Sequence, residues 1–265
     1  MGAEQVAAEE CVTIAVEDAV GVVTLRSPAL TRSAKRQLLA GLRQLSGNSS
    51  VRAVLLTGSG RVFCAGQDLS EHATALEADP GSAFETLGED YNPIVLALTT
   101  MTKPVVAAIN GTCAGAGMSL ALACDIRVCS AAAKFATAFT GIGLTLDSGL
   151  SATLTRAVGS ARASELILVA EPFTAQQALE WGLVGRLADP GSVLSEAMQL
   201  ASRLAAGPTL AYAAAKQAIQ AAALPALTDV LAAEHAAQMR LGQTADHKDA
   251  VAAFLAKRRP VFHGR

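Results

Sequence analysis

Apolar residues recur in two rhythms along this chain, and the rhythm changes about three-quarters of the way through. Residues 12–16 and 20–25 are short apolar runs flanking Asp18-Ala19, a pattern that predicts a β-hairpin. From 33 to 45, Leu38, Leu39, Leu42 and Leu45 return at helical spacing. Residues 53–56 read as a buried strand. The stretch 71–88 is polar and carries glycine and proline, which predicts a mobile loop. Residues 91–100 then read as helix, 105–109 as strand, 117–123 as helix after a loop, 125–129 as strand and 151–158 as helix. Strand and helix alternate, so the expected fold class is α/β. After Leu187 the chain becomes alanine-rich and helical to its end, interrupted at Pro208 and Pro225. The switch of period near residue 200 suggests two parts, 1–200 and a helical 201–265. No internal repeat stands out.

Two glycine-bearing loops carry the clearest chemical signal. One is Phe63-Cys64-Ala65-Gly66-Gln67-Asp68-Leu69; the other is Asn110-Gly111-Thr112-Cys113-Ala114-Gly115-Ala116-Gly117-Met118. Each follows a strand-like run and leads into a helix-like stretch. Glycine permits a sharp turn and close approach to a ligand. The first amides of a helix lack partners within it and carry the positive end of its dipole. Two such loops face to face could hold one oxygen between two N–H groups, an oxyanion hole suited to a carbonyl becoming an enolate.

Composition narrows the classes. The chain has 265 residues, 51% hydrophobic and 17% charged, enough for a well-buried core without disulfides. Its net charge is −2 and it has no basic tract, which disfavours nucleic-acid binding. The apolar stretches break before the roughly 20 residues of a membrane span. Residues 1–10 are acidic, lack a signal-peptide pattern and are expected to form a short disordered lead-in. Cys11, Cys64, Cys113, Cys124 and Cys129 include no C-x-x-C pair. Reduced cysteines in a cytoplasmic protein are the expectation.

The two loops, together with Lys103-Pro104-Val105, Ala123-Cys124-Asp125-Ile126, Ala178-Leu179-Glu180-Trp181-Gly182-Leu183-Val184 and the tail from Ala253 to Pro260, resemble the crotonase (enoyl-CoA hydratase/isomerase) superfamily. The resemblance spans about 12–265. Tyr91-Asn92-Pro93, Ala114-Gly115-Ala116-Gly117 and Asp147-Ser148-Gly149 are most similar to the ring-epoxide isomerase branch of the phenylacetate pathway, the epoxyphenylacetyl-CoA isomerases. It implies a spiral of ββα units followed by helices that assemble trimers, hence a homotrimer or a dimer of trimers. Acyl-CoA is the implied substrate, with no separate cofactor. The backbone N–H groups of Gln67 and Ala116 hold the two oxyanion positions.

Among side chains, Asp68 reads as a helix cap and Asp125 as a structural partner. The resemblance places the two glutamates of hydratases at Ser119 and Phe139, neither of which is a carboxylate. Ser119 can donate a hydrogen bond, with helix packing as its default role, and Phe139 makes its side of the pocket apolar. Asp147, just before the helical stretch at 151, suits an N-cap and a catalyst equally. In the resembling branch the matching aspartate transfers the proton. Leu146 and Leu150 replace a proline and a glycine of that pattern, reshaping the pocket beside Asp147.

Tyr91 reads as pocket lining or core. His72, His235, His247 and His263 show no metal-ligand spacing and read as surface residues, with a pocket role for His72 as the lesser alternative. The turn from Arg26 to Ser33 lacks the asparagine usual in the family. Arg26 and Arg32 could pair with CoA phosphates, and the resemblance suggests that Phe254 and Lys257 touch CoA from a neighbouring subunit. The expected function is an acyl-CoA isomerase using Asp147. An enoyl-CoA hydratase and a non-catalytic CoA-binding protein are the alternatives.

Overall fold

The computed structural model describes residues 10–79, 81–222 and 226–263. The expected lead-in falls largely outside the described residues, as does Pro225. The chain opens with the hairpin β1 (Val12–Glu17) and β2 (Val20–Leu25), closed by Asp18 and Ala19, both at positive φ. Left-handed backbone at both central positions matches the twist of a tight hairpin. Helix α1 (Arg32–Gly47) starts at Thr31, whose hydroxyl accepts from Ala34 N–H, and buries Leu38, Leu42 and Leu45. There follow β3 (Ala53–Gly58), β4 (Val62–Cys64), α2 (Leu69–Ala78), α3 (Asn92–Thr100), β5 (Val105–Ile109), β6 (Thr112–Ala114), α4 (Ala116–Ala123), β7 (Ile126–Ser130) and β8 (Lys134–Ala136). The remainder is α5 (Leu150–Val169), β9 (Phe173–Thr174), α6 (Ala175–Glu180), β10 (Arg186–Ala188), α7 (Val193–Ala205), α8 (Thr209–Ala221), α9 (Leu227–Leu241) and α10 (Ala245–Leu255).

The strands form two sheets. One has the order β1-β2-β3-β5-β7-β10, parallel from β2 onward; the other has the order β4-β6-β8-β9. Three times a strand of the large sheet is followed by a short strand of the small sheet and then by helix: β3-β4-α2, β5-β6-α4 and β7-β8-α5. This is the ββα spiral of a crotonase-like fold. Both faces of the large sheet are covered, so its strands are apolar without alternation. Val54, Leu56, Val105, Ala107 and Ile109 join the main core, while Ala53, Leu55, Val106 and Ala108 face Ala197, Leu200 and Ala201 of α7.

The structure changes three expectations. Residues 71–88 are not a loop. Asp68 caps α2 by accepting from Glu71 N–H at 2.8 Å, and short helical turns at Ser82–Phe84 and Leu87–Tyr91 follow. Burial of His72, Leu76, Phe84 and Leu87 holds this polar-looking segment down. The supposed loop before α4 contains β6. The boundary drawn at 200/201 falls inside α7, whose alanines are a core layer of the sheet rather than the start of an appendage. Beyond it, α8 is tied to the core by Lys216 and Asp125, 2.7 Å apart, and Asp125 also accepts from Val105 N–H.

Candidate active site

Parallel pairing of β4 with β6 puts the ends of both strands side by side, and each end turns into a helix. The two glycine-bearing loops therefore meet. Gly66 (φ 91°) lies so close to the second loop that a Cβ on it would sit 3.2 Å from Ala116 N. At Gly117 a Cβ would collide with Cys64 O. Only glycine lets the loops approach this closely. Among the described residues, neither Gln67 N–H nor Ala116 N–H has a protein acceptor. Both residues line a cavity of about 590 Å³.

The side chain of Gln67 is fixed from behind. Its Oε1 accepts from Tyr91 OH at 2.6 Å and from Lys35 Nζ at 3.1 Å. Lys35 also donates to Thr86 Oγ1 at 2.6 Å, and Thr86 in turn donates to Asp90 at 2.8 Å. Lys35 is buried, with its ammonium 4.7 Å from the centre of the Tyr91 ring. Burial lowers its pKa, while Asp90 and Glu71 pull it back up. Sequence reading passed over Lys35, a charged residue at an interior helical position, because lysine on a helix ordinarily means a solvated face.

Asp147 faces the same cavity and is 8% exposed. One carboxylate oxygen accepts from Ser148 Oγ at 2.8 Å, the other from Gln238 Nε2 at 2.9 Å. Its carboxylate does not cap α5. Glu234 does that from α9, accepting from Gly149 N–H at 2.6 Å and Ser151 N–H at 2.9 Å. Glu234 thus takes the role the sequence offered to Asp147 and leaves Asp147 free for the cavity. Burial raises the Asp147 pKa to about 6; the hydrogen bonds from Gln238 and Ser148 oppose the rise. Burial likewise raises that of Glu234.

Apolar side chains make up most of the cavity wall, among them Phe84, Leu87, Phe139, Ile142 and Leu144, with Tyr91. Ser119 and Leu150 do not line it. Both are fully buried behind the wall, where Ser119 Oγ donates to the carbonyl of Asp147 and Leu150 starts α5 facing the core. Phe254, 57% exposed, lines the cavity of its own chain. The fold of α10 back onto α2 is what brings Phe254 to the cavity of its own chain. Arg26 and Lys257 are exposed, and Arg32 pairs with Glu89 at 3.0 Å. His72 and His247 are buried, not superficial, and their Nε2 atoms lie 3.0 Å apart. No cluster of metal-ligating side chains occurs among the described residues, and the five cysteines are buried and free.

Comparison with known proteins gives a consistent picture. The family model for enoyl-CoA hydratase/isomerase matches residues 15–265. The chain is 40% identical over 258 residues to a 1,2-epoxyphenylacetyl-CoA isomerase of Escherichia coli (strain K12), covering 94% of this chain and 97% of that one. It is 34% identical to a short-chain-enoyl-CoA hydratase of Clostridium acetobutylicum, covering 92% and 94%. A crystal structure of an enoyl-CoA hydratase from Mycobacterium avium subsp. paratuberculosis superposes with a TM-score of 0.85 at 32% identity, covering 96% of this chain and 98% of that one.

Proposed function

Because the chain belongs to the enoyl-CoA hydratase/isomerase family, we propose that it is an acyl-CoA isomerase in which Asp147 moves a proton within the acyl group. The carrying observation is a buried carboxylate, engaged in no helix cap or ion pair, in an otherwise mostly apolar cavity beside two N–H groups that have no protein acceptor among the described residues. Asp68, the other carboxylate there, is engaged as the cap of α2. The thioester oxygen sits between Gln67 N–H and Ala116 N–H. Asp147 takes a proton from the carbon next to the thioester, the electron pair moves onto the oxygen, and the N–H groups hold the enolate. The protonated Asp147 then returns the proton to a more distant carbon, shifting the double bond. A pKa near 6 suits a group that must both accept and release a proton near neutrality. The same enolate chemistry would assist opening of a ring epoxide, the substrate class suggested by the E. coli relative.

The test uses 2-enoyl-CoA and 3-enoyl-CoA in heavy water, followed by NMR. Conversion of the 3-enoyl to the 2-enoyl ester with deuterium uptake supports the isomerase. Water addition as the main reaction supports a hydratase instead, and binding without either supports a non-catalytic CoA protein. Hydration is expected to be poor. The positions matched to the hydratase glutamates hold Ser119 and Phe139, so a water there lacks its acid and base, each commonly worth about 10²–10⁴-fold. Wild-type hydration at tens of turnovers per second, a typical enzyme rate, would overturn that reading of the two positions.

Phe254 belongs at the mouth of the cavity against the CoA arm, and exposed Arg26 and Lys257 are available to its phosphates. A cytoplasmic location fits a CoA ester as substrate. The assembly proposed is a homotrimer or a dimer of trimers, consistent with exposed Leu168, Val169, Leu210 and Ile219 on the helices. Light scattering at micromolar protein is expected to give three or six chains, and a monomer would refute it.

A further inference from the structure

Two histidines that the isomerase chemistry does not use form a fixed chain in the cavity wall. His72 lies in α2, about one turn beyond Gln67, and lines the cavity. His247 lies in the first turn of α10 and is fully buried. Phe84 packs against both rings, at 5.1 Å and 5.7 Å between centroids. His247 Nδ1 is 2.7 Å from Ile142 O, and a carbonyl can only accept, so the hydrogen of His247 is on Nδ1. In a neutral ring, Nε2 is then bare and must accept. The neighbouring atom, His72 Nε2, is 3.0 Å away and must donate. The remaining nitrogen of His72, Nδ1, is therefore a bare lone pair. Burial lowers both pKa values, that of His72 to about 4, so both rings are neutral near neutral pH. Among the described residues Nδ1 of His72 has no protein partner and is not a sealed-off buried atom, and His72 borders both the acyl cavity and a smaller adjoining cavity lined by Arg32, Lys35 and Glu71.

We infer that His72, held in this tautomer by His247, is a specificity-determining acceptor that selects acyl-CoA substrates with a hydroxyl group on the acyl chain away from the thioester. The inference rests on the acyl-CoA reading of the cavity. An acyl chain without a donor would fill the cavity, drive out water and strand Nδ1 against apolar neighbours. One with a hydroxyl at the right carbon would satisfy it. Sites built around a buried acceptor discriminate strongly because the wrong ligand leaves that acceptor unpaired. His247 acts only through His72, as a positioning residue.

The experiment is calorimetric binding of hexanoyl-CoA and of hexanoyl-CoA analogues hydroxylated singly at carbons 3 to 6. These thioesters have no double bond to move. One analogue is expected to bind the wild-type protein on the order of ten-fold more tightly than hexanoyl-CoA, with the preference lost in His72→Phe. Nitrogen-15 histidine NMR of the wild type supplies a readout that does not depend on the variant folding. It should show His72 protonated on Nε2 and bare on Nδ1. A protonated Nδ1 overturns the inference. So does equal binding of hexanoyl-CoA and every hydroxylated analogue, which would leave the acyl-CoA reading standing. Failure of all the thioesters to bind would remove that reading, and this inference with it.

Discussion

Asp147→Asn is expected to fold, to become more stable at pH 7.5 and to lose isomerisation. The folded-state pKa of Asp147 is about 6, against an ordinary 3.8. A carboxyl group raised in this way favours folding fully only below the ordinary value. Its contribution is lost as pH rises through about 6, when the buried group must ionise. The gap amounts to about 3 kcal/mol at about 1.4 kcal/mol per pH unit. Asparagine is neutral at every pH, accepts from Gln238 as before and can donate to Ser148 Oγ. Urea unfolding at pH 7.5 should therefore show the variant more stable by up to about 3 kcal/mol, with the two proteins converging near pH 4. Turnover should fall about 10²–10⁴-fold, and the wild-type rate should climb through pH 6 as the base ionises. A folded variant with near-wild-type turnover would remove Asp147 from the chemistry.

Ala116→Pro tests the other half of the site by deleting one N–H. Ala116 is the first residue of α4, where proline is well tolerated, and its N–H has no protein acceptor among the described residues. The preceding residue is Gly115 at φ 52°, ψ −129°, and glycine has the conformational freedom to precede a proline. Loss of one oxyanion donor should cost about 10²–10³-fold in kcat, while the thermal transition stays cooperative. Ala116→Gly, which keeps the N–H, should retain far more activity. Equal turnover in Ala116→Pro and wild type would mean that no developing charge sits there.

How much of this was legible in the sequence depended on separation along the chain. The two glycine-bearing loops, the cap at Asp68 and the structural role of Asp125 were visible because turn glycines, caps and strand ends are local features. The segment 71–88 was misread because its few apolar residues, Leu76, Phe84 and Leu87, are too sparse to show a period. The surroundings of Asp147 were hidden for another reason. Gln238 and Glu234 sit 91 and 85 residues away from the atoms they hold, and His247 lies 175 from His72. Polar side chains on an alanine-rich helix look like solvated surface, and no spacing rule pairs them with a distant carboxylate or ring. The same blind spot left Asp147 reading equally as a cap and as a catalyst on its local sequence, since its competitor for the cap position, Glu234, is remote in sequence.

The hold of α9 on Asp147 also orders events in time. A chain emerges from the ribosome N-terminus first. Both glycine-bearing loops and Asp147 are made well before Gln238, which follows Asp147 by 91 residues. A nascent chain that has reached α5 holds its carboxylate without the Gln238 N–H, and its first α5 amides still lack Glu234. The surroundings of the Asp147 carboxylate are thus complete only once α9 has been made and has docked, so the site is finished late in synthesis although its loops are made early.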